Sequence, residues 1–176
     1  MYNAQFADAG SRSTFFIIDE ARGFKEFESK SQAEYAHKVQ SKLAQYNLAP
    51  KVYSEVGRIR IGKEKELTQW GFMTEIAQML GCGGNDCDCG ECDDVYEEKY
   101  PAIMRLHKKL EKIGAYFGDD HIGNIGYVRR RGRNVLVCID TGEESVRDEE
   151  FYVDYDDDDE YAGCSCTHCR NIRGSY

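Results

Sequence analysis

Two polar motifs in the second half of the chain carry residue types that bind metal ions and phosphate. The first is GDDHIGN at residues 118–124, and the second is DTG, which begins at Asp140. Asp119, Asn124 and Asp140 offer two carboxylates and an amide on either side of a short hydrophobic hairpin. Such a set can hold Mg²⁺ against a nucleoside triphosphate and offer a base to an attacking hydroxyl group. These three residues are therefore candidates for phosphoryl-transfer chemistry.

The cysteines form a second set of candidate ligands. The pattern C-x-C-x-x-C occurs at residues 87–92 and again at residues 164–169. Each C-x-x-C can place two thiolates on one tetrahedral ion, and two such pairs complete a structural zinc site. The four best candidates are Cys89, Cys92, Cys166 and Cys169, and the further candidates are Cys82, Cys87, Cys164 and His168.

The number of metal ions stays open at this point. Eight ligands suit two four-coordinate zinc ions, six thiolates can share two metals, and four cysteines can also hold an iron–sulfur cluster. Cys138 stands apart from both segments, inside an apolar run, and is predicted to be a small buried hydrophobic residue.

Composition limits the possible classes of protein. The chain has 176 residues, of which 41% are hydrophobic and 31% charged, as expected for one globular domain. The formal net charge of -9 argues against nucleic-acid binding over the whole surface. The sequence contains no apolar run of membrane-spanning length and no secretory signal pattern, so we expect no membrane partner and a cytoplasmic location. In such a reducing compartment, clustered cysteines bind metal more often than they form disulfides.

Hydrophobic periodicity predicts the elements that position these residues. Helices are expected over residues 31–46 and, after the helix-starting Pro101, over residues 101–113. A strand end leading into a short helix is expected over residues 70–80. Strands are predicted in three hairpins: residues 13–20 with 24–27 around a turn at 21–23, residues 51–53 with 58–61, and residues 125–128 with 134–139.

The order of these elements and the two polar motifs resemble the protein-kinase-like superfamily over roughly residues 10–142. The nearest pattern is that of the aminoglycoside and choline phosphotransferases, whose loop reads G-D-x-H-x-x-N and whose later triplet is D-x-G. The resemblance implies that Asp119 orients or deprotonates an acceptor hydroxyl. It implies that Asn124 and Asp140 hold magnesium beside ATP. His121 matches a histidine common in that small-molecule kinase branch.

The same resemblance assigns roles to residues nearer the N-terminus. Lys25 stands mid-strand, where the family keeps its phosphate-contacting lysine, and Glu34 is the candidate for the helix glutamate that pairs with it. The family's phosphate-covering loop is often glycine-rich. Here only residues 9–13 are available, where the hydroxyls of Ser11 and Ser13 could cradle phosphate. Residues 72–76 correspond to the hinge segment, where backbone groups meet adenine.

We therefore expect an α+β protein, a truncated two-lobe kinase-like fold with a zinc-bound cysteine module. A small sheet lobe would span residues 1–68, a hinge region residues 69–80, and a catalytic-loop lobe residues 95–142. Zinc-binding segments at 81–94 and 164–169 would replace the missing helices of the large lobe. The expected function is Mg·ATP-dependent phosphoryl transfer to an unknown hydroxyl acceptor. The alternatives are a pseudokinase that transfers nothing and a zinc-stabilised protein-interaction module.

Overall fold

A computed structural model describes residues 5–9, 13–61, 66–81 and 91–151 of the chain. Within these ranges helices and strands are mixed, so the α+β class predicted from the sequence is confirmed. The two helices are α1 (Lys30–Gln45) and α2 (Glu91–Glu111). The strands are β1 (Gln5–Ala9), β2 (Ser13–Ile17), β3 (Arg22–Phe27), β4 (Arg60–Ile61), β5 (Glu66–Leu67), β6 (Trp70–Glu75), β7 (Gln78–Met79), β8 (Ala115–Phe117), β9 (Ile125–Arg130), β10 (Arg133–Cys138) and β11 (Val146–Asp148).

A four-stranded antiparallel sheet with the order β1-β2-β3-β6 forms the first half of the molecule. Helix α1 packs against this sheet through Ala33 and Ala36, which contact Phe27 and Phe72. Small side chains on the helix allow the aromatic rings of the sheet to approach its backbone closely. The sheet and α1 thus hold β3, which carries Lys25, in a fixed position.

Helix α1 begins and lies where the periodicity predicts. Ser29 and Gln32 form a capping box, in which each side chain accepts the backbone N–H of the other residue. Ala36, Val39 and Leu43 recur at helical spacing, and all three are buried.

The second half of the molecule is built around α2 and the hairpin of β9 and β10. This hairpin turns at Arg131 and Gly132, both with positive φ, and β7 pairs with its β9 edge. Strands β8 and β11 form a separate antiparallel pair. Both helices and the hairpin share one core, whose central residues include Val39, Leu43, Ile103, Leu106, Leu110, Ile125 and Val146.

Three local predictions in the first half are wrong. The turn predicted at residues 21–23 lies earlier, because the Asp19 carboxylate accepts the N–H groups of Ala21 and Arg22 and closes the chain there. The hairpin predicted between residues 51–53 and 58–61 does not form, since β4 pairs with β5 instead. The short helix predicted before residue 80 is replaced by β7, which finds a partner in β9.

The second helix also differs from its prediction. It begins at Glu91, ten residues before Pro101, and the proline lies inside it. The earlier turns are highly charged, but Cys92, Val95 and Tyr96 recur at helical spacing and pack against the core. This narrow apolar stripe extends the helix further than the proline suggests.

The segment that follows the DTG motif is rich in acidic residues. Strand β11 lies in this segment and is held from α1: the hydroxyl of Tyr35 donates to the carbonyl oxygen of Val146 at 2.9 Å. The buried carboxylate of Asp148 accepts from Lys42 at 2.8 Å. None of the helices in the described part of the chain has the length and apolar character needed to cross a membrane.

Candidate functional site

Lys25 and Asp140 form the centre of the candidate site, although 115 residues separate them in the sequence. Lys25 lies on β3 between the paired residues Phe15 and Phe72 of the neighbouring strands. Its side chain is 9% exposed, and its ammonium group donates to Asp140 Oδ1 at 2.8 Å and to the carbonyl oxygen of Ile139 at 3.3 Å. The predicted phosphate-contacting lysine therefore lies beside the predicted metal-binding carboxylate.

The threonine of the DTG motif anchors the motif to helix α1. Thr141 is fully buried, and its hydroxyl donates to the carbonyl oxygen of Ala36 in α1 at 3.1 Å. Gln40, one turn further along α1, donates to Thr74 of β6 and lies 3.4 Å from the Thr141 hydroxyl. Helix α1 thus links the DTG motif to the sheet that carries Lys25. This link fixes the position of Asp140 relative to Lys25.

The Asp140 carboxylate accepts three hydrogen bonds from described residues. Oδ1 accepts from Lys25 and from the Gly142 N–H, at 2.8 and 3.3 Å, and Oδ2 accepts from the Ser145 hydroxyl at 2.6 Å. Desolvation acts to raise the pKa of Asp140, but the charge of Lys25 and these hydrogen bonds outweigh it and lower the pKa to about 2. Asp140 is therefore a carboxylate at neutral pH.

Cys138, two residues before Asp140 in the chain, is fully buried. Its burial confirms the prediction of a small buried residue. Its thiol donates to the carbonyl oxygen of Asp140 at 2.7 Å. Burial, together with the negative charge of Asp140, raises the pKa of the Cys138 thiol well above its usual value. Cys138 is therefore a structural thiol and not a nucleophile.

The loop of residues 118–124 follows β8 and ends in a short 3₁₀ helix, Ile122–Asn124. The Asn124 amide group donates both to the backbone oxygen of Asp119 and to its Oδ2 atom, at 3.0 Å each. His121 caps the 3₁₀ helix through Nδ1, which accepts the Gly123 N–H, and its Nε2 lies 3.7 Å from Asp119 Oδ2. The loop thus holds Asp119 and Asn124 side by side.

Backbone hydrogen bonds join this loop to the DTG motif. The N–H of Ile139, the residue before Asp140, donates to the carbonyl oxygen of Asn124 at 2.9 Å. The carbonyl oxygen of Ser145 accepts from the N–H groups of Gly118 and Asp119, at 2.9 and 3.4 Å. The structure therefore brings the two polar motifs of the sequence together with Lys25.

Other predicted site residues lie elsewhere. Glu34 pairs with Lys30 one helical turn earlier, at 3.0 Å, so the structure does not bring it to Lys25, which pairs with Asp140. Ser13 begins β2, half-buried and opposite Phe27. The hinge predicted at residues 72–76 is, up to Glu75, part of β6 and is hydrogen-bonded to β3.

Most of the predicted zinc ligands fall outside the described residues. Cys92 is the exception: it occupies the second position of α2, where it is half-buried and packs against the core. Within the described ranges no group of three or more His, Cys, Asp or Glu side chains has the arrangement of a metal site. The remaining ligands, and Ser11 with them, lie outside the described residues: Cys82, Cys87, Cys89, Cys164, Cys166, His168 and Cys169.

Sequence reasoning missed several residues that shape the site. Ser145 and Thr141 hold the DTG motif from two sides, and Gln40 links it to the sheet. A buried glutamine on the apolar face of a predicted helix is the one signal that could have identified this connection, because buried amides need polar partners. Asp120, the acid next to Asp119, accepts from the Tyr96 hydroxyl of α2 at 3.3 Å.

Asp140 and Asn124 carry oxygen atoms, which are the ligand type that Mg²⁺ prefers. A carboxylate offers about four acceptor positions, and donors from the described residues take three of those on Asp140. The amide nitrogen of Asn124 donates to Asp119, so the amide oxygen is the atom of this side chain that would bind a metal ion. Mg²⁺ commonly uses only one or two protein carboxylates together with substrate phosphates and water, so a small set of protein ligands suffices.

No protein-family model matches the sequence, and no curated protein matches it either.

Proposed function

We propose that this protein is a kinase-like phosphotransferase that uses Mg·ATP and a hydroxyl acceptor. The observation that supports the proposal most strongly is the contact between Lys25 and Asp140, two residues that the family resemblance relates and that are 115 positions apart. Asp119 and Asn124 lie against the same backbone segment. A cation, two carboxylates and an amide are the groups that phosphoryl transfer requires of a protein.

Each side chain has a role that follows from its chemistry. Asn124 and Asp140 would hold the magnesium ion, which when bound neutralises charge on the phosphates. Lys25 would donate its third N–H to a phosphate oxygen while it keeps its bonds to Asp140 and Ile139. Asp119, whose side chain is 46% exposed, would accept the proton of the acceptor hydroxyl as the oxygen forms its bond to the γ-phosphorus and the bond to ADP breaks.

The first experiment is calorimetric titration of the full chain with Mg·ATP. We expect binding by the wild type and at least a hundredfold loss of affinity in Asp140→Asn, since the metal-binding charge is removed. Asp19→Asn is the matched control, because an asparagine can keep the two backbone hydrogen bonds of this surface turn and loses only an exposed ion pair with Arg22. A wild type that fails to bind Mg·ATP contradicts the proposal.

A second experiment separates transfer from binding. Asp119→Asn keeps a side chain of the same size beside Asn124 but removes the base. We expect this variant to bind Mg·ATP within about threefold of the wild type, while phosphate release to water falls at least a hundredfold. Equal rates in both proteins would show that Asp119 is not the base.

A pseudokinase is the second candidate, and the position of Glu34 favours it. In the family the helix glutamate holds the lysine toward the phosphates, whereas here Glu34 is engaged with Lys30. A protein of this kind binds nucleotide without transferring phosphate. Binding in the calorimeter, combined with no phosphate release by the wild type above that of a protein-free solution, would select this alternative.

We also propose that the two cysteine segments bind zinc, because the same C-x-C-x-x-C spacing occurs twice in one chain. The purified protein should contain one or two zinc ions by elemental analysis, and chelation should lower its unfolding temperature, since metal binding contributes folding free energy. Cys89→Ser should lower the zinc content. Cys138→Ala is the control and should leave it unchanged, because Cys138 is committed to a hydrogen bond with the Asp140 backbone. An unfolding temperature that chelation leaves unchanged contradicts a structural role for the metal.

A further inference from the structure

Ser145 lies between the DTG motif and β11, and it contacts both polar motifs at once. Only 3% of the residue is exposed to solvent. Its backbone is held by the Gly142 carbonyl oxygen, which accepts the Ser145 N–H at 3.0 Å. The serine is therefore part of a closed turn.

The two ends of Ser145 reach different parts of the site. Its carbonyl oxygen accepts the N–H groups of Gly118 and Asp119, at 2.9 and 3.4 Å. Its hydroxyl donates to Asp140 Oδ2 at 2.6 Å, a short bond of the kind that a hydroxyl makes to a charged oxygen. One residue thus fixes the start of the catalytic loop and the orientation of the carboxylate across from it.

The hydroxyl of Ser145 has a geometric effect that Lys25 alone cannot have. Donors that act on Oδ1 alone, from Lys25 and the Gly142 N–H, do not fix the position of Oδ2. Lys25 on Oδ1 and Ser145 on Oδ2 together fix both oxygens, and therefore fix the direction in which the remaining acceptor position points. This is the arrangement that pre-organises a ligand before it binds.

We propose that Ser145 is a positioning residue that holds Asp119 and Asp140 as one unit for the binding of Mg·ATP. This inference rests on the function proposed above and extends it to a residue that the family motifs do not include. Ser145 itself does not contact the nucleotide, because its hydroxyl is directed at Asp140.

The test compares the Mg·ATP affinity of Ser145→Ala and Ser145→Thr in the full chain. Alanine removes one charge-assisted hydrogen bond, so we expect affinity to fall about tenfold. Threonine keeps the hydroxyl and should restore affinity to within about threefold of the wild type. Ser54→Ala is the matched control. The Ser54 hydroxyl accepts the Met73 N–H and donates to the Glu55 carbonyl oxygen, away from the site, so its loss should leave affinity unchanged.

A double-mutant cycle measured by urea unfolding keeps the inference testable if the wild type does not bind Mg·ATP. In that case the proposed function fails, but the contact between Ser145 and Asp140 is still measured by Ser145→Ala, Asp140→Asn and the double variant. We expect their effects on the unfolding equilibrium constant to be non-additive by at least about fivefold, because the two residues share a hydrogen bond.

Two results would overturn the inference. One is a wild type that binds Mg·ATP while Ser145→Ala binds it equally well. The other is an additive cycle, which would show that Ser145 does not hold Asp140.

Discussion

Arg130 and Glu75 form one ion pair between the N-terminal sheet and the β9–β10 hairpin, and Lys25 and Asp140 form another. The first lies near the tip of the hairpin: two Arg130 nitrogens donate to the two Glu75 oxygens at 2.5 and 2.6 Å, and the side chains are only 14% and 16% exposed. The second lies at the base of the hairpin, where the Asp140 side chain is 32% exposed.

The difference between these pairs lies in the exposure of the carboxylate, because Glu75 and Asp140 each accept three hydrogen bonds from described residues. Both Glu75 oxygens are occupied by Arg130, and one accepts the Lys51 N–H as well. Burial acts to raise the pKa of Glu75, but the hydrogen bonds of Arg130 outweigh it and lower that pKa. The Asp140 carboxylate also has a lowered pKa, yet its side chain is 32% exposed, twice the fraction of Glu75. The pair of Arg130 and Glu75 thus attaches the hairpin to the sheet, whereas the pair of Lys25 and Asp140 leaves a charged carboxylate partly exposed to solvent.

The largest effect on stability is expected from breaking the ion pair between Arg130 and Glu75. Arg130→Met leaves the Glu75 carboxylate largely buried without its cation, so we expect a loss of about 3 kcal/mol in the free energy of unfolding, measured with urea. Mg·ATP affinity should change by less than about threefold. Arg129→Met is the matched control, because that neighbour is exposed and should cost under about 0.5 kcal/mol. Equal losses in both variants would show that the Glu75 pair does not fasten the hairpin.

An intermediate effect on stability is expected when acid protonates Asp140 and breaks its ion pair with Lys25. The pKa of Asp140 is about 2 in the folded protein, below its ordinary value of 3.8. The stability that the ionised carboxylate contributes is therefore fully present above pH 4 and is lost as pH falls through 2. Allowing for solvent screening of this partly exposed group, we expect about 1–2 kcal/mol. Urea midpoints at several pH values between 7 and 2 should therefore fall less steeply in Asp140→Asn than in the wild type.

Glu75→Gln serves as the comparison for that pH series, because the pKa of Glu75 is lowered too. It should also flatten the loss of stability below pH 4.5, but without affecting Mg·ATP affinity at neutral pH. If Asp140→Asn and the wild type lose stability in parallel as the solution is acidified, the ion pair with Lys25 does not stabilise the folded protein.

The smallest effect is expected at β11, which touches neither ion pair. Tyr35→Phe removes the hydroxyl that donates to the Val146 carbonyl oxygen, and it should cost about 1 kcal/mol in the free energy of unfolding. Tyr46→Phe is the control, since Tyr46 is an exposed tyrosine on the C-terminal side of the same helix. Hydrogen exchange at the Gly118 and Glu149 amides, which donate to Ser145 and Gly114 across this strand pair, should quicken only in Tyr35→Phe. Unchanged exchange there would show that α1 does not hold this strand pair.

Elements with strong local signals were predictable from the sequence. Helix α1 has both an apolar stripe and a capping box, and the β9–β10 hairpin has two apolar runs around a polar turn. Lys25 was correctly placed on a strand, and the two polar motifs were identified before their proximity was known.

What the sequence did not reveal depends on partners distant in the chain. Strand β7 exists because β9 lies beside it, and β11 because β8 does, so neither carries a recognisable pattern of its own. Ser145 resembles any turn serine until the Asp140 carboxylate is found 2.6 Å from its hydroxyl. Glu34 was expected to pair with Lys25, but Lys30, one helical turn away, pairs with it instead.

The long separation between Lys25 and Asp140 has a consequence for how the protein acquires its site. The meander of β1, β2 and β3 is made of neighbours in sequence, whose pairing closes short loops and is therefore fast. Contacts across 115 residues close last, and a chain leaving the ribosome exposes its N-terminal part first. Lys25 must consequently remain a hydrated cation until the C-terminal half has been synthesised and folded. We expect a chain interrupted before Asp140 to form much of its first sheet but no nucleotide site.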